Sequence, residues 1–333
     1  MNNLFGPKYI LQERASGYKS TTYALAEIVD NSVDASSSKI DVYFIDKLVG
    51  QKASGSKVRV DEILVCDNGS GMSLARLNTC LTLSEGDGRH DSRIGAFGVG
   101  LPKSSISQCR RVEVYSKVVD KGGQWYKVYL DIDELINLGE PQFSEATQQN
   151  PDLSGINTAE YSTIIRWSDL DRVDYQKGST LAKHLAKLFG RIYRYALTSG
   201  LSISVKNLVQ SRSGGLESNN IDVLVYDPLF LYDGRSAVTD TIFESVQNPT
   251  GQYKHTQLGH LPEYNSVTYY KKYTEGRTRE SGNLPFFMEY EDFFNVEKTI
   301  KLNKKTYKWK IKASYASKDI TNPGLRSGGG TSL

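Results

Sequence analysis

Glu27, Asn31 and Asp34 recur at i, i+4 and i+7 in the stretch Leu25-Ala26-Glu27-Ile28-Val29-Asp30-Asn31-Ser32-Val33-Asp34-Ala35. At 3.6 residues per turn these three share one helix face, while Leu25, Ile28, Val29 and Ser32 turn toward another. A carboxylate one turn from a carboxamide suits the activation of water beside a hard metal ion. Magnesium prefers oxygen ligands, keeps several of its waters and accepts a side-chain amide oxygen. The same pattern also describes an ordinary amphipathic helix with a solvated polar stripe.

Two further stretches can do chemistry. Asp67-Asn68-Gly69-Ser70-Gly71-Met72 follows an apolar run that ends at Cys66. Its glycines permit tight or positive-φ backbone and a close approach to a flat ligand. A buried Asp67 carboxylate there can accept a hydrogen bond from an amino group such as that of adenine; an Asp-Asn-Gly turn with no ligand is the plainer alternative. Farther on, Gly95-Ala96-Phe97-Gly98-Val99-Gly100-Leu101 precedes Pro102, Lys103, Ser104 and Ser105. Glycines before a helix start offer bare N–H groups and the positive end of a helix dipole to a phosphate chain. Lys103, Ser104 and Ser105 can add charge and hydroxyl donors. This loop matches neither the Walker A pattern nor a dinucleotide fingerprint.

The elements that must hold these stretches follow from periodicity. Residues 1–17 are mixed, with Arg14–Gly17 as a loop, and a helix capped at Ser20 or Thr21 runs to about Ala35. Strands are expected at Lys39–Ile45 and Val58–Cys66, then a short helix from Ser73 to about Leu83. The glycine-punctuated segment from Ser84 to Arg93 reads as mobile. Arg111–Ser116 and Gln124–Asp131 form a hairpin around Lys121-Gly122-Gly123. Ser162–Trp167 is another strand, Leu181–Leu197 an amphipathic helix and Leu201–Val205 a strand. Ser211–Asn220 is a polar break, with strands expected after it at Ile221–Tyr226 and Ser266–Tyr270.

Composition narrows the class. The chain has 333 residues, 38% hydrophobic and 24% charged, which suits a soluble globular protein of two domains or one large α/β domain with an appendage. A formal charge of +3 is too small to argue nucleic-acid binding without local clustering. Cys66, Cys80 and Cys109 fit no zinc or disulfide spacing and read as small buried hydrophobes. No apolar run reaches membrane-spanning length and the N-terminus does not open as a signal peptide, so an intracellular location is expected, cytoplasmic or, in a eukaryote, nuclear.

Taken in order, Glu27…Asn31…Asp34-Ala35, Asp67-x-Gly69-x-Gly71-Met72 and Gly95-x-Phe97-Gly98-x-Gly100 resemble the three boxes of the GHKL ATPases, the superfamily of gyrase B, Hsp90, MutL, the MORC proteins and the histidine kinases. The likeness covers roughly residues 10–200 and is nearest to Hsp90 and MORC members in the third box. It implies an α+β domain of the Bergerat type, a mixed sheet with helices on one face, over residues 1–208. A smaller α/β transducer-like domain would follow over residues 209–333. It implies ATP and Mg²⁺ as ligands and ATP hydrolysis as the activity. Glu27 would be the general base toward water and Asn31 the magnesium ligand. Asp67 would take the adenine amine with a water shared by Thr163, which stands where the family has a late threonine, although Ser162 replaces the usual preceding glycine. Met72 and Phe97 would wall the base or ribose, and Asp34 and Ala35 the pocket floor. Gly95 to Gly100, with Ala96, Val99, Leu101, Lys103 and Ser104, would form the phosphate end of a lid beginning near Ser84.

The resemblance also implies a homodimer formed on ATP binding, and an output on nucleic acid as in MORC and MutL, with genome or antiviral defence as a setting; an Hsp90-like chaperone is the alternative. Lys298–Lys312 holds seven lysines in fifteen residues with no acid. From Thr306 it alternates, Lys308, Lys310 and Lys312 against Tyr307, Trp309 and Ile311. A solvated strand face, a γ-phosphate sensor at Lys304 or Lys305, and a contact to nucleic-acid phosphates are its three readings. The glycine-rich terminus before Leu333 suggests a natural chain that continues, with a further effector domain.

Overall fold

The computed structural model describes residues 7–49, 57–82, 100–138, 144–153, 155–210 and 216–226, and four short strands between residues 287 and 316. The expectations for residues 83–99, for Lys304 and for Ser266–Tyr270 lie outside the described residues. Contacts divide the chain into two units, residues 1–223 and 224–333.

The first unit is built on one eight-stranded sheet. Its strands are β1 (Lys39–Val49), β2 (Lys57–Asp67), β3 (Cys109–Val118), β4 (Gln124–Asp131), β5 (Thr147–Gln148), β6 (Thr163–Leu170), β7 (Ser202–Gln210) and β8 (Leu216–Asp222). They lie in the order β5-β4-β3-β6-β2-β1-β7-β8, and only the β1–β7 pair is parallel. The helices are α1 (Pro7–Ser16), α2 (Thr21–Asp34), α3 (Leu74–Thr79), α4 (Gly100–Gln108), α5 (Ile132–Leu138), α6 (Gly178–Ile192) and α7 (Arg194–Thr198). This is the mixed-sheet α+β architecture the sequence implies.

Strand alternation sends two sets of side chains to opposite faces. Ile40, Val42 and Phe44 of β1, Ile63 and Val65 of β2, and Ile165 and Trp167 of β6 join Leu25, Ile28 and Val29 of α2 and Leu181, Leu185 and Phe189 of α6 in the main core. Each such side chain, taken fully from water, contributes about 2 kcal/mol before entropy is counted. The opposite set, Tyr43, Leu64, Cys66, Tyr115 and Ile164, forms a smaller cluster with Ile156 and Tyr161. There Tyr161 donates to the buried Asp41 carboxylate, Lys206 Nζ lies 3.0 Å from Asp41 Oδ2, and the Tyr43 and Tyr161 hydroxyls are 2.8 Å apart. These bonds anchor the segment that leads into Thr163, the first residue of β6.

Several elements depart from the sequence reading. Residues 7–16, read as irregular, form α1, which tertiary bonds secure. The buried Arg14 guanidinium donates to the Ile106 carbonyl at 2.8 Å and pairs with Asp171. The expected helix Leu181–Leu197 is two, α6 and α7, broken at Tyr193, whose hydroxyl turns inward to Ala26 O at 2.8 Å and Asp30 Oδ1 at 2.7 Å. The polar break contains strand β8, whose backbone pairs with β7 and brings Glu217–Asn220 to an exposed edge. An edge strand needs ladder bonds and no apolar face, which is why alternation did not show it. The three cysteines are free and buried. No helix among the described residues is long and apolar enough to cross a membrane.

In the second unit, β10 (Val296–Leu302) and β11 (Lys305–Ile311) form an antiparallel hairpin, and β9 (Phe287–Glu289) pairs with β12 (Ser314–Ala316). Lys301 faces Thr306 and Thr299 faces Lys308 across the first pair, which places Lys301 and Lys308 on one face. Both lysines are exposed.

Candidate functional site

Helix α2 carries the first group of site residues, and a neighbouring loop fixes where it starts. The Thr21 N–H donates to Asp174 Oδ2 at 2.8 Å and the Asp174 N–H returns a bond to Thr21 Oγ1 at 3.0 Å. Of the two caps the sequence offered, Ser20 makes no side-chain cap bond and Thr21 is held by this reciprocal pair with Asp174. With its start held, α2 buries Leu25, Ile28, Val29 and Ser32 and leaves Asn31 and Asp34 exposed, with Glu27 half-buried. The two faces are those the sequence assigns.

Asp67 ends β2 in the middle of the sheet, flanked by Ile40 of β1 and Thr163 of β6. It is only 3% exposed. Its carboxylate accepts from Ser32 Oγ at 2.9 Å, Ser37 Oγ at 3.2 Å and the Gly69 N–H at 2.9 Å. Burial raises its pKa above the ordinary carboxylate value, and these three donors pull it back. A carboxylate offers about four acceptor positions, so three donors leave room for one more. Thr163 is buried beside it in register, and the Ser162 N–H donates to the Asp67 carbonyl at 2.7 Å.

The glycines after Asp67 are required by packing. A Cβ on Gly69 would stand 2.9 Å from the Ala35 carbonyl and 2.6 Å from Ser37 Oγ. Gly71 has φ +69°, and a Cβ there would lie 2.5 Å from the Lys117 carbonyl. The positive φ that the sequence allowed at these glycines is present at Gly71, and the close approach seen here is of the protein's own atoms. The next residue, Met72, donates its N–H to Ser116 Oγ at 3.0 Å, which lays this loop against β3. Ala35 sits behind it, its carbonyl accepting from Ser70 N at 3.1 Å.

At the other end of the site, Glu27 reaches α4. Its Oε2 lies 2.7 Å from where a Cβ on Gly100 would stand, at the first residue of that helix. Asn31 donates its Nδ2 to the Glu27 carbonyl at 2.9 Å, which turns Oδ1 outward as an acceptor. Of the residues after Gly100, Leu101 is buried in the core. The Ser104 and Ser105 hydroxyls donate back to the Leu101 carbonyl at 3.1 and 2.7 Å, and Ser105 also accepts from Trp167 Nε1. Both serines are fully buried, so their hydroxyls serve the helix and the core where the sequence suggested phosphate donors. Lys103 pairs with Glu13 of α1 at 2.9 Å. Gly95, Ala96, Phe97, Gly98 and Val99 lie outside the described residues.

Three residues around Glu27 were not anticipated. Burial and the nearby Glu27 carboxylate push the pKa of the Tyr18 hydroxyl well up. Asp30 is raised by burial and by the neighbouring charges of Glu27 and Asp34, against the bond from Tyr193 that lowers it. Tyr18 and Tyr193 stand 9 residues before and 166 after Glu27 in the chain, so no helical periodicity could connect them to it. The donor set also limits metal chemistry: no cluster of three or more His, Cys, Asp or Glu among the described residues could cage a metal. One outward amide oxygen fits a magnesium ion that takes its other ligands from phosphate and water.

Residues 18–162 match the family model described as histidine kinase-, DNA gyrase B-, and HSP90-like ATPase. Protein MICRORCHIDIA 4 of Arabidopsis thaliana is 30% identical over 119 residues, 35% of this chain and 14% of that protein. The DNA mismatch repair protein MutL of Borreliella afzelii (strain PKo) is 29% identical over 141 residues, 39% of this chain and 21% of that protein. Most of either relative's length thus lies outside the match. A crystal structure of the N-terminal domain of a DNA repair protein covers 65% of this chain and 56% of that one, at 18% identity and a TM-score of 0.35.

Proposed function

We propose, from the premise that this chain carries a GHKL-type ATPase domain in residues 18–162, that it binds and hydrolyses ATP as a switch acting on nucleic acid. The observation that carries the reading is the Glu27 carboxylate set against the first residue of α4, with the buried Asp67, at the end of β2, bonded to Ser32 of the same helix α2. The adenine amine donates to Asp67 and the phosphates lie toward the N-terminus of α4. Glu27 takes a proton from water as the water oxygen bonds to the γ-phosphorus and the bond to the β–γ bridging oxygen breaks, giving ADP and phosphate. Asn31 Oδ1 is the protein ligand for Mg²⁺, which when bound supplies positive charge to the phosphate oxygens.

Two observations favour nucleic acid as the target. The β10–β11 hairpin places Lys301 and Lys308 exposed on one face of a tract with seven lysines. The relatives include a DNA mismatch repair protein. ATP-driven pairing of two copies, the second unit (residues 224–333) as a transducer-like domain, and genome defence as the setting belong to the same reading. ATP turnover by the purified chain, with and without duplex DNA at low and high salt, tests it. Turnover that DNA stimulates at low salt and not at high salt is expected. No turnover under any of these conditions would contradict the catalytic part, and indifference to DNA the target.

A further inference from the structure

We propose that Ser37 is a positioning residue for Asp67, fixing which carboxylate oxygen takes the amino group of the nucleobase, an inference that rests on the ATPase reading above. The Ser37 hydroxyl donates to Asp67 Oδ1 at 3.2 Å, and the Gly69 N–H donates to the same oxygen at 2.9 Å. Ser32 Oγ donates to the other oxygen, Oδ2, at 2.9 Å. With about two acceptor positions on each oxygen, Oδ1 is full and Oδ2 keeps one. The carboxylate is thus locked in rotation, with a single open position, on Oδ2, for an incoming donor.

Ser37 reaches Asp67 because of how α2 ends. The Ser36 N–H donates to the Val33 carbonyl at 2.9 Å and the Ser37 N–H to the Ser32 carbonyl at 3.1 Å, the paired bonds that close a helix on a left-handed residue. Ser36 is that residue, at φ +59° without being glycine. The bond that closes the helix therefore sets Ser37 beside Ser32, and both hydroxyls face one carboxylate. The loop after Asp67 clasps this corner from two sides. The Ser70 N–H donates to the Ala35 carbonyl at 3.1 Å, and Asn68 Oδ1 accepts from the Ser38 and Lys39 N–H groups at 3.0 and 2.9 Å. Gly69 completes the fit, since a Cβ there would stand 2.6 Å from Ser37 Oγ. Ser37 is buried, so water competes little for its place on Asp67. Without its hydroxyl, Oδ1 regains an open position and the carboxylate its freedom to turn, and the acceptor aimed at the base is no longer fixed.

The test is Ser37→Ala, with affinity measured for two nucleotides: ATP, and a purine riboside triphosphate that lacks only the exocyclic amino group. The ATP Kd should rise about tenfold, the scale of one hydrogen bond to a charged group. The analogue has no amine to place and should bind variant and wild type alike, which also shows that the variant is folded. At saturating ATP, kcat should stay near wild type, because Glu27 and α4 are untouched. Combined with Asp67→Asn, the substitution should weaken ATP binding no further, since the acceptor it positions is already gone. An ATP Kd unchanged by Ser37→Ala, or a loss shared equally by ATP and the analogue, overturns the positioning role and leaves the ATPase reading standing. A loss that adds to that of Asp67→Asn overturns it equally. A wild-type chain that binds neither nucleotide, or binds the analogue as tightly as ATP, contradicts the reading of the nucleotide site first, and this inference with it.

Discussion

Glu27 of α2 and Gly100 of α4 are in contact: the carboxylate Oε2 lies 2.7 Å from the place a Cβ on Gly100 would take. Only a glycine leaves the carboxylate where it is. Gly100→Ala meets the far end of a flexible side chain, so the fold adjusts at little cost while the carboxylate moves. The expected outcome is a loss of about tenfold or more in kcat, with the melting temperature unchanged or slightly higher because alanine favours the helix. Steady-state kinetics beside a thermal melt checks both halves.

Asp67→Asn separates binding from stability. Burial raises the Asp67 pKa in the folded state above its ordinary 3.8. For a raised carboxyl, the stability it contributes is full below 3.8 and is lost as pH rises through the elevated folded value. Once ionised, Asp67 is therefore a burden on the nucleotide-free protein, and the neutral amide removes it. The variant should melt no lower than wild type above the elevated Asp67 pKa and lose part of the melting-temperature decline that wild type shows as pH rises from 3.8. Its ATP affinity should fall about tenfold or more, since an amide presenting Nδ2 to the adenine amine cannot accept from it. Calorimetry across pH and a nucleotide titration measure the two effects.

Gly71→Ala should act on the fold. The residue has φ +69°, and the added methyl would sit 2.5 Å from the rigid Lys117 carbonyl. Strain of this kind costs about 1–3 kcal/mol. Urea unfolding should show a lower midpoint with the same slope, and nucleotide affinity should fall because Met72 and its bond to Ser116 shift with the loop.

The lysine hairpin predicts a salt effect. Lys301 and Lys308 share a face by register. If both contact duplex phosphates, Lys301→Ala combined with Lys308→Ala should reduce the slope of log affinity against log salt by about two. Binding titrations at several salt concentrations give that slope directly. An unchanged slope would make the hairpin face merely solvated.

How much of this was legible in the sequence depended on how local each signal is. The two faces of α2, the strand run into Asp67 and the glycines at 69 and 71 were readable, because each is set by neighbours within a turn or two. The partners of Glu27 were not. Gln108 ties the Tyr18 backbone to α4 near it, and Tyr193 touches Ala26 and Asp30 from far along the chain. Neither contact leaves a periodic trace. Ser104 and Ser105 misled for the opposite reason: their local pattern suited a phosphate loop, while their hydroxyls bond back to Leu101 inside the core. The glycine after Ser70 has the positive φ its sequence allowed, while the Lys117 carbonyl packed against it left no local trace.

The most direct test of the central claim is a paired measurement on Glu27→Ala: ATP turnover, and nucleotide affinity by equilibrium titration, each beside wild type. The account predicts that turnover falls to background while ATP affinity stays within a few-fold, because Asp67 and the α4 N-terminus are untouched. Turnover at the wild-type rate in that variant would contradict the assignment of Glu27 as the base, and with it the account of the site.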